Sequence, residues 1–192
     1  MTRATLRTQL LRQRADIPAT QRGEFDQLIC QRLQQIVLPG DALNIGVYSP
    51  IRGEPDLSAC YAHWRACGHR LALPIVDEDT KQLHFHRWDA DTPLRKAAFG
   101  VLVPDGTEPL VPDVLVIPCV GFRVLDGKPY RLGYGGGFFD RTLAARPCFA
   151  IGVAYDNASA SSWTPDSWDM PLSVLVTPSL DIVAIASPRL KR

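Results

Sequence analysis

The sequence predicts an α/β protein whose sheet is mostly parallel and covered on both faces. Three observations predict it. Short apolar runs of strand length alternate with amphipathic helical patterns, the order that builds parallel sheets. A length of 192 residues, 46% of them hydrophobic, supports one core rather than two. No internal repeat or low-complexity tract divides the chain, so a single domain over residues 1–192 is expected.

The elements follow in order. Thr2 to Ala15 reads as a basic helix with Leu6, Leu10 and Leu11 forming a narrow apolar stripe between arginines. Pro18 interrupts it, and Thr20 is placed to cap a second helix whose apolar face is Phe25, Leu28, Ile29, Leu33, Ile36 and Val37. Pro39-Gly40-Asp41 ends that helix. Leu43 to Tyr48 is a buried strand. Pro55 and Asp56 open a third helix with Leu57, Cys60, Tyr61, Trp64 and Cys67 inward, and Gly68 stops it. Arg70 to Pro74 is a strand. Leu83 to Trp88 alternates with period two, a strand with one polar face. Val114 to Pro118 is a short apolar strand, followed by a glycine-rich loop and a helix starting near Gly137. Phe149 to Tyr155 and Ser173 to Thr177 are further strands, and Asp181 to Ile185 adds an edge-like one.

Composition narrows the function. A formal net charge of +1 gives no global pull toward nucleic acid or a membrane surface. No apolar run reaches the roughly 20 residues of a membrane helix. The basic N-terminus lacks a following apolar block and does not read as a secretory signal; a short amphipathic targeting helix is the weaker alternative. The five cysteines form no C-x-x-C pair. Reduced core thiols in a reducing compartment are expected, not disulfides or zinc. A cytoplasmic protein without a nucleic-acid or membrane partner is the resulting expectation.

The most informative stretch runs from Arg131 to Arg141, R-L-G-Y-G-G-G-F-F-D-R. Glycines at 133, 135, 136 and 137 let successive backbone N–H groups point at one anion, and a helix beginning there adds its positive end. Arg131 offers a planar charged fork for phosphate oxygens, and Asp140 a hard oxygen for a cation bridging them. Neither G-x-x-x-x-G-K-[ST] nor a strand-linked G-x-G-x-x-G is present. The plain alternative is a tight connection in which glycine only permits close packing.

The segment Val114 to Leu143, with its apolar strand, Pro-x-x-x-Phe turn and R-L-G-x-G-x-G-F-F-D, resembles the signature of the 5-formyltetrahydrofolate cyclo-ligase family. Arg3-Ala-Thr-Leu-Arg7 resembles the family's N-terminal K-x-x-L-R. Tyr48 to Leu57, with Gly53-Glu54 inside, resembles its acidic strand-end motif. Asp169 through Thr177 resembles its C-terminal element. The likeness covers nearly the whole chain.

It implies a Rossmann-like, three-layer αβα sandwich and ATP- and Mg²⁺-dependent closure of 5-formyltetrahydrofolate to the 5,10-methenyl form. It implies that Arg3, Ala4, Thr5, Leu6 and Arg7 belong to the ATP site, the two arginines facing phosphates. Arg131, Leu132, Gly133, Tyr134, Gly135, Gly136, Gly137, Phe138 and Phe139 would wrap the nucleotide. Tyr48 and Glu54 would contact the folate together with Tyr134, Gly135, Gly136, Gly137 and Phe138. Arg131 and Tyr134 would stand at the reacting groups, and Asp140 and Asp169 would coordinate Mg²⁺. Two departures matter: the family often has Lys where Arg3 stands, and Tyr where Phe139 stands, so Phe139 is given no catalytic role.

Other residues are set aside. His84 and His86 lack a third ligand for a metal. Trp163 and Trp168 either cover the site or anchor their loop. Asp166, after Pro165, is read as a turn former. The rival functions are a sugar-phosphate isomerase or CoA-transferase-like enzyme, and a non-catalytic nucleotide- or folate-binding protein.

Overall fold

The computed structural model describes residues 1–97 and 100–183. A seven-stranded sheet runs through the molecule in the order β11-β10-β9-β6-β1-β2-β3. Its parallel strands are β1 (Asn44–Gly46), β2 (Arg70–Val76), β6 (Val114–Pro118), β9 (Phe149–Val153) and β10 (Val174–Val176). The edges are antiparallel: β3 (Leu83–Arg87) on β2, and β11 (Asp181–Val183) on β10. The expected edge strand is thus present, and Ala184 and Ile185 lie outside the described residues.

Period-two alternation sorts the strand residues into two layers. Ile45, Leu71, Val114, Val116, Ile151 and Val174 pack with Ile29 and Leu33 of α2 (Ala19–Ile36) and with Trp64 of α3 (Ser58–Ala66). Ala72, Leu115, Ile117, Ala150 and Leu175 pack on the other side with Leu143 of α4 (Phe138–Ala145). The result is the expected αβα sandwich. Cys30, Cys60 and Cys119 are buried and Cys67 and Cys148 half-buried, all as free thiols.

α1 (Arg3–Ala15) stands apart from both layers. Thr2 caps it, its hydroxyl accepting from the Thr5 N–H. Leu6 and Leu10 join a third cluster with Val120, Leu132 and Trp163. α2 begins at Ala19 with Pro18 at the cap position, so Thr20 is not the cap: the fixed φ of proline already suits the chain entry. Leu28 is 41% exposed and Cys30 takes the inward place. α3 starts at Ser58, later than Pro55, because the Asp56 carboxylate accepts from the Ser58 N–H and holds a turn there.

Two hairpins break the simple alternation. β4 (Leu94–Lys96) pairs with β5 (Leu102–Pro104). β7 (Gly121–Leu125) pairs with β8 (Lys128–Leu132) across Asp126 and Gly127, both with positive φ. That is the geometry of a tight two-residue turn. The Pro104–Pro112 and Ser159–Pro171 loops are tied to the body, with bridges from His86 to Pro109 and from Tyr130 to Pro171.

The chain leaves β1 toward β2 on one side, while β6 continues toward β9 on the other. The direction of sheet growth therefore reverses between β1 and β6. In open α/β sheets the crevice beyond the carboxyl ends of the strands at such a point is where ligands bind.

Candidate active site

The hairpin β7–β8 delivers Arg131 and Leu132 beyond the end of β6 and feeds the glycine-rich loop directly into α4. Gly133 lets Arg131 fold back over the loop: a β-carbon there would sit 2.4 Å from Arg131 Nη1 and displace the guanidinium. Gly137 caps α4 in the left-handed conformation, with φ 67. Among the described residues, the backbone N–H groups of Tyr134, Gly135, Gly136 and Gly137 have no acceptor. Free donors beside a helix start form an anion cradle.

Charged side chains converge on this loop. The inward face of α1 carries Arg3, Arg7 and Arg14 alongside Leu6 and Leu10, as the helical repeat places them. Arg3 Nη2 lies 2.6 Å from carboxylate oxygens of both Asp166 and Asp169, and its guanidinium stacks 5.3 Å from the Trp163 ring centroid. The hydrogen bond to Asp169 is the main influence raising the Arg3 pKa. Arg7 Nε donates to the Gly133 carbonyl at 2.7 Å. Burial, and then the neighbouring charge of Arg3, lower the Arg7 pKa.

Arg131, 7% exposed, donates to Asp140 Oδ2 at 2.9 Å and lies 5.0 Å from the Phe139 ring centroid. Its Nε is buried without a partner among the described residues. The other Asp140 oxygen accepts from the Met170 N–H at 3.3 Å, which brings the Asp140 and Asp169 segments together. No three His, Cys, Asp or Glu side chains cluster among the described residues. Mg²⁺ takes one or two carboxylates and leaves the rest of its shell to water and substrate phosphates, so Asp140 and Asp169, each paired with an arginine, are the donors here that could serve such an ion.

Beyond the loop's other side lies Glu54, 5% exposed, on the segment after β1. Its Oε2 accepts from the Ile51 N–H at 2.9 Å and its Oε1 from the Tyr134 hydroxyl at 3.0 Å. Burial raises the Glu54 carboxyl pKa, against the pull of the Ile51 N–H, Tyr134, Arg14 and Arg52. Burial likewise pushes Tyr134 up to about 12. A cleft of about 380 Å³ opens beside Glu54, lined by Arg22, Asp26, Ile51, Arg52 and Asp56 among others.

The structure thus gathers Arg3, Arg7, Arg131, Gly133 to Gly137, Asp140 and Asp169 at one crevice, with Glu54 joined to it through Tyr134. Other residues implied by the resemblance lie differently. Tyr48 packs into the core, its hydroxyl donating to the Pro55 carbonyl at 2.7 Å. Ala4 and Thr5 are exposed on the far side of α1, whereas Leu6 and Leu132 are buried in the α1 cluster. Phe138 and Phe139 pack against the core, with Arg141 and Arg131 over their rings. Trp163 is buried under Arg3, and Trp168 is 67% exposed.

Asp166 does more than turn the chain: it shares Arg3 with Asp169. Arg14 and Arg52 escaped the sequence reading. The signal for Arg14 was its helical phase with Arg3 and Arg7.

Comparison with known proteins gives the family. Residues 1–178 match the model of the 5-formyltetrahydrofolate cyclo-ligase family. The 5-formyltetrahydrofolate cyclo-ligase of Haemophilus influenzae is 31% identical over 179 residues, 88% of this chain and 94% of that protein. The Escherichia coli K12 protein of the same name is 30% identical over 178 residues, 88% and 95% of the two chains. The solved structure of Aquifex aeolicus 5,10-methenyltetrahydrofolate synthetase superimposes with a TM-score of 0.81 at 26% identity, covering 100% of this chain and 97% of that one. The Mycoplasma pneumoniae synthetase gives 0.74 at 26% identity, covering 93% and 99%. A family-model match over residues 1–178, with relatives at 30% identity or more over most of both chains, places this chain in the 5-formyltetrahydrofolate cyclo-ligase family of enzymes.

Proposed function

We propose that the protein converts 5-formyltetrahydrofolate and ATP to 5,10-methenyltetrahydrofolate, ADP and phosphate, as a cytoplasmic monomer. The observation that carries this reading is the Tyr134–Glu54 hydrogen bond at 3.0 Å. It joins a phosphate-type loop to a buried carboxylate, so a nucleotide and a second, N–H-rich substrate are brought side by side.

The formyl group is a poor electrophile because the ring nitrogen donates into its carbonyl. Its oxygen must leave, and as hydroxide it leaves badly. Transfer of the γ-phosphoryl group of ATP to that oxygen, with departure of ADP, makes it a phosphate leaving group. The 10-nitrogen of the folate then attacks the formyl carbon, inorganic phosphate departs with the oxygen, and the nitrogen loses its proton. Such a reaction asks for positioning and charge neutralisation rather than a protein nucleophile.

The free amides from Tyr134 to Gly137 suit the phosphates. Arg3, Arg7 and Arg131 supply the charge. Leu132, Gly133, Phe138 and Phe139 shape the wall of the nucleotide site, and Leu6 holds α1 against it, while Ala4 and Thr5 lie on the outer face of the turn that carries Arg3 and Arg7. Glu54 suits the amino-pyrimidinone edge of the pterin, where a carboxylate accepts two parallel N–H bonds. Tyr48 serves the folate side indirectly, fixing the Pro55 carbonyl next to Glu54. Asp140 and Asp169 would hold Mg²⁺, which when bound offsets the negative charge of the phosphates. Both aspartates are paired with arginines here, so metal and nucleotide binding entails an exchange of partners that frees Arg3 and Arg131 for phosphate oxygens.

The test is direct. Purified protein mixed with 5-formyltetrahydrofolate should produce the methenyl chromophore only when Mg²⁺ and ATP are both present. Absence of the chromophore with both, or its appearance without nucleotide, would overturn the reading.

A further inference from the structure

Arg14 lies where the nucleotide loop and the folate carboxylate meet, and nothing in the chemistry above assigns it a task. It is 3% exposed, near the end of α1. No carboxylate among the described residues pairs with it directly. A guanidinium stays charged, so burying one without a contacting counter-ion is costly and calls for a reason. Nη2 donates to the Cys119 carbonyl just past β6. Nη1 donates to the Tyr134 hydroxyl at 3.2 Å.

A guanidinium has donors and no acceptor. The Tyr134 oxygen must therefore accept from Arg14, and its single proton is directed to Glu54 Oε1, 3.0 Å away. The chain of bonds runs one way only, from a fixed cation through a phenol to a carboxylate.

We infer that Arg14 is a positioning residue: through the Tyr134 hydroxyl it holds Glu54 as a charged acceptor for the N–H edge of the folate. The same helix then serves both substrates, since Arg3 and Arg7 reach the phosphate loop from α1. The inference rests on the reading that Glu54 receives the folate.

The groups bearing on Glu54 come from several segments. Arg14 comes from α1, Arg52 from its own loop and Tyr134 from the glycine-rich loop, while Tyr48 and Cys119 are buried neighbours. Removing the charge of Arg14 takes away one of the influences that keep the carboxyl ionised. Glu54 then takes up its proton at a higher pH and loses its charge-assisted bonds there.

The experiment is to measure the Kd of 5-formyltetrahydrofolate from about pH 5.5 to about pH 8.5, for the wild type and for Arg14→Gln, Arg14→Lys, Tyr134→Phe and Glu54→Gln. In Arg14→Gln the acid limb of the affinity curve should move to higher pH. Binding should weaken by roughly tenfold on the acid side of the wild-type limb and far less on its alkaline side. Arg14→Lys, which keeps the charge, should move the limb back toward wild type. Tyr134→Phe should move it in the same direction as Arg14→Gln. It leaves Arg14 its Cys119 contact, so this arm and Arg14→Lys decide the matter if Arg14→Gln does not fold.

Glu54→Gln should flatten the acid limb. If it instead keeps the wild-type limb, the assignment of Glu54 to the folate falls and the inference falls with it. If Glu54→Gln flattens the limb but Arg14→Gln and Tyr134→Phe leave its position unchanged, Arg14 is only a prop for the Cys119 carbonyl and the inference alone is wrong.

Discussion

The two sides of the crevice solve opposite electrostatic problems. On the side of the glycine-rich loop, charges come in ion pairs: the partly exposed Arg3 with Asp166 and Asp169, and the buried Arg131 with Asp140. On the folate side, Glu54 is buried and held mainly by neutral donors, the Ile51 N–H and the Tyr134 hydroxyl. Paired charges can trade partners when a polyanion and a cation arrive, because each ion can exchange one opposite charge for another. A carboxylate held by backbone and phenol keeps one orientation whether or not a ligand is present. On the proposed reading, the phosphate side would serve exchange and the folate side fixed recognition.

The largest effect should come from disturbing the exchange. Excess chelator should abolish turnover, and Asp140→Asn should lower it far more than it lowers stability; normal turnover in chelator would remove the metal from the mechanism. Next in size is Arg131→Ala. It removes a buried charge-assisted contact beside the developing charge, a loss on the order of 2–4 kcal/mol, or roughly 30- to 1000-fold in kcat/KM for ATP. It also leaves Asp140 unpaired, so the melting temperature should fall. Unchanged ATP kinetics would show the pair to be purely structural.

Glu54→Gln should be smaller and of a different kind. Folate affinity should drop by roughly tenfold, as expected for losing one charge-assisted bond, while nucleotide affinity stays the same. Stability should change by less than about 1 kcal/mol, because the amide relieves the burial of a charge while giving up an acceptor. The sign with pH follows from the raised pKa of Glu54. The folded state holds that proton more tightly than the unfolded chain, so this residue favours folding at low pH and ceases to do so as pH rises through its folded pKa. In Glu54→Gln that contribution to the pH dependence should vanish, which thermal melts across pH would register.

The smallest effect should be Arg3→Gln, roughly a threefold to tenfold rise in the KM for ATP. Arg3 is partly exposed and shared by two aspartates, so water and Arg7 cover for part of its loss. A large stability loss instead would mean that its contacts with Asp166, Asp169 and Trp163 serve mainly to dock α1.

The sheet was legible because its strands are short apolar runs bounded by turn residues, and the glycine-rich loop because four glycines in five positions have few other uses. The β7–β8 hairpin was not seen. Asp126-Gly127 is a strong turn signal, but Pro129 beside it argues against a strand, and only the structure shows it paired at the hairpin with Val124. Thr20 misled because a good capping residue lay two positions from a proline that already set the helix entry. Tyr48 was assigned to the folate by its place in a motif; past the end of β1 its ring packs into the core and its hydroxyl donates to the Pro55 carbonyl. Arg14 was overlooked because arginines on a basic helix look alike until one knows which face is covered.

α1 has a consequence for how the molecule comes into being. Its Arg7 binds the carbonyl of Gly133, its Arg3 pairs with Asp166 and Asp169, and its Leu6 and Leu10 pack with Trp163. These are contacts of very long sequence separation, among the slowest to form because so much chain must be closed into a loop first. The strands β1, β2 and β3, by contrast, pair with near neighbours. α1 must therefore wait, without these contacts, until the segment carrying Trp163, Asp166 and Asp169 has been made. Pulse-labelled amide exchange during refolding should show α1 gaining protection in the last phase, together with the competence to bind nucleotide.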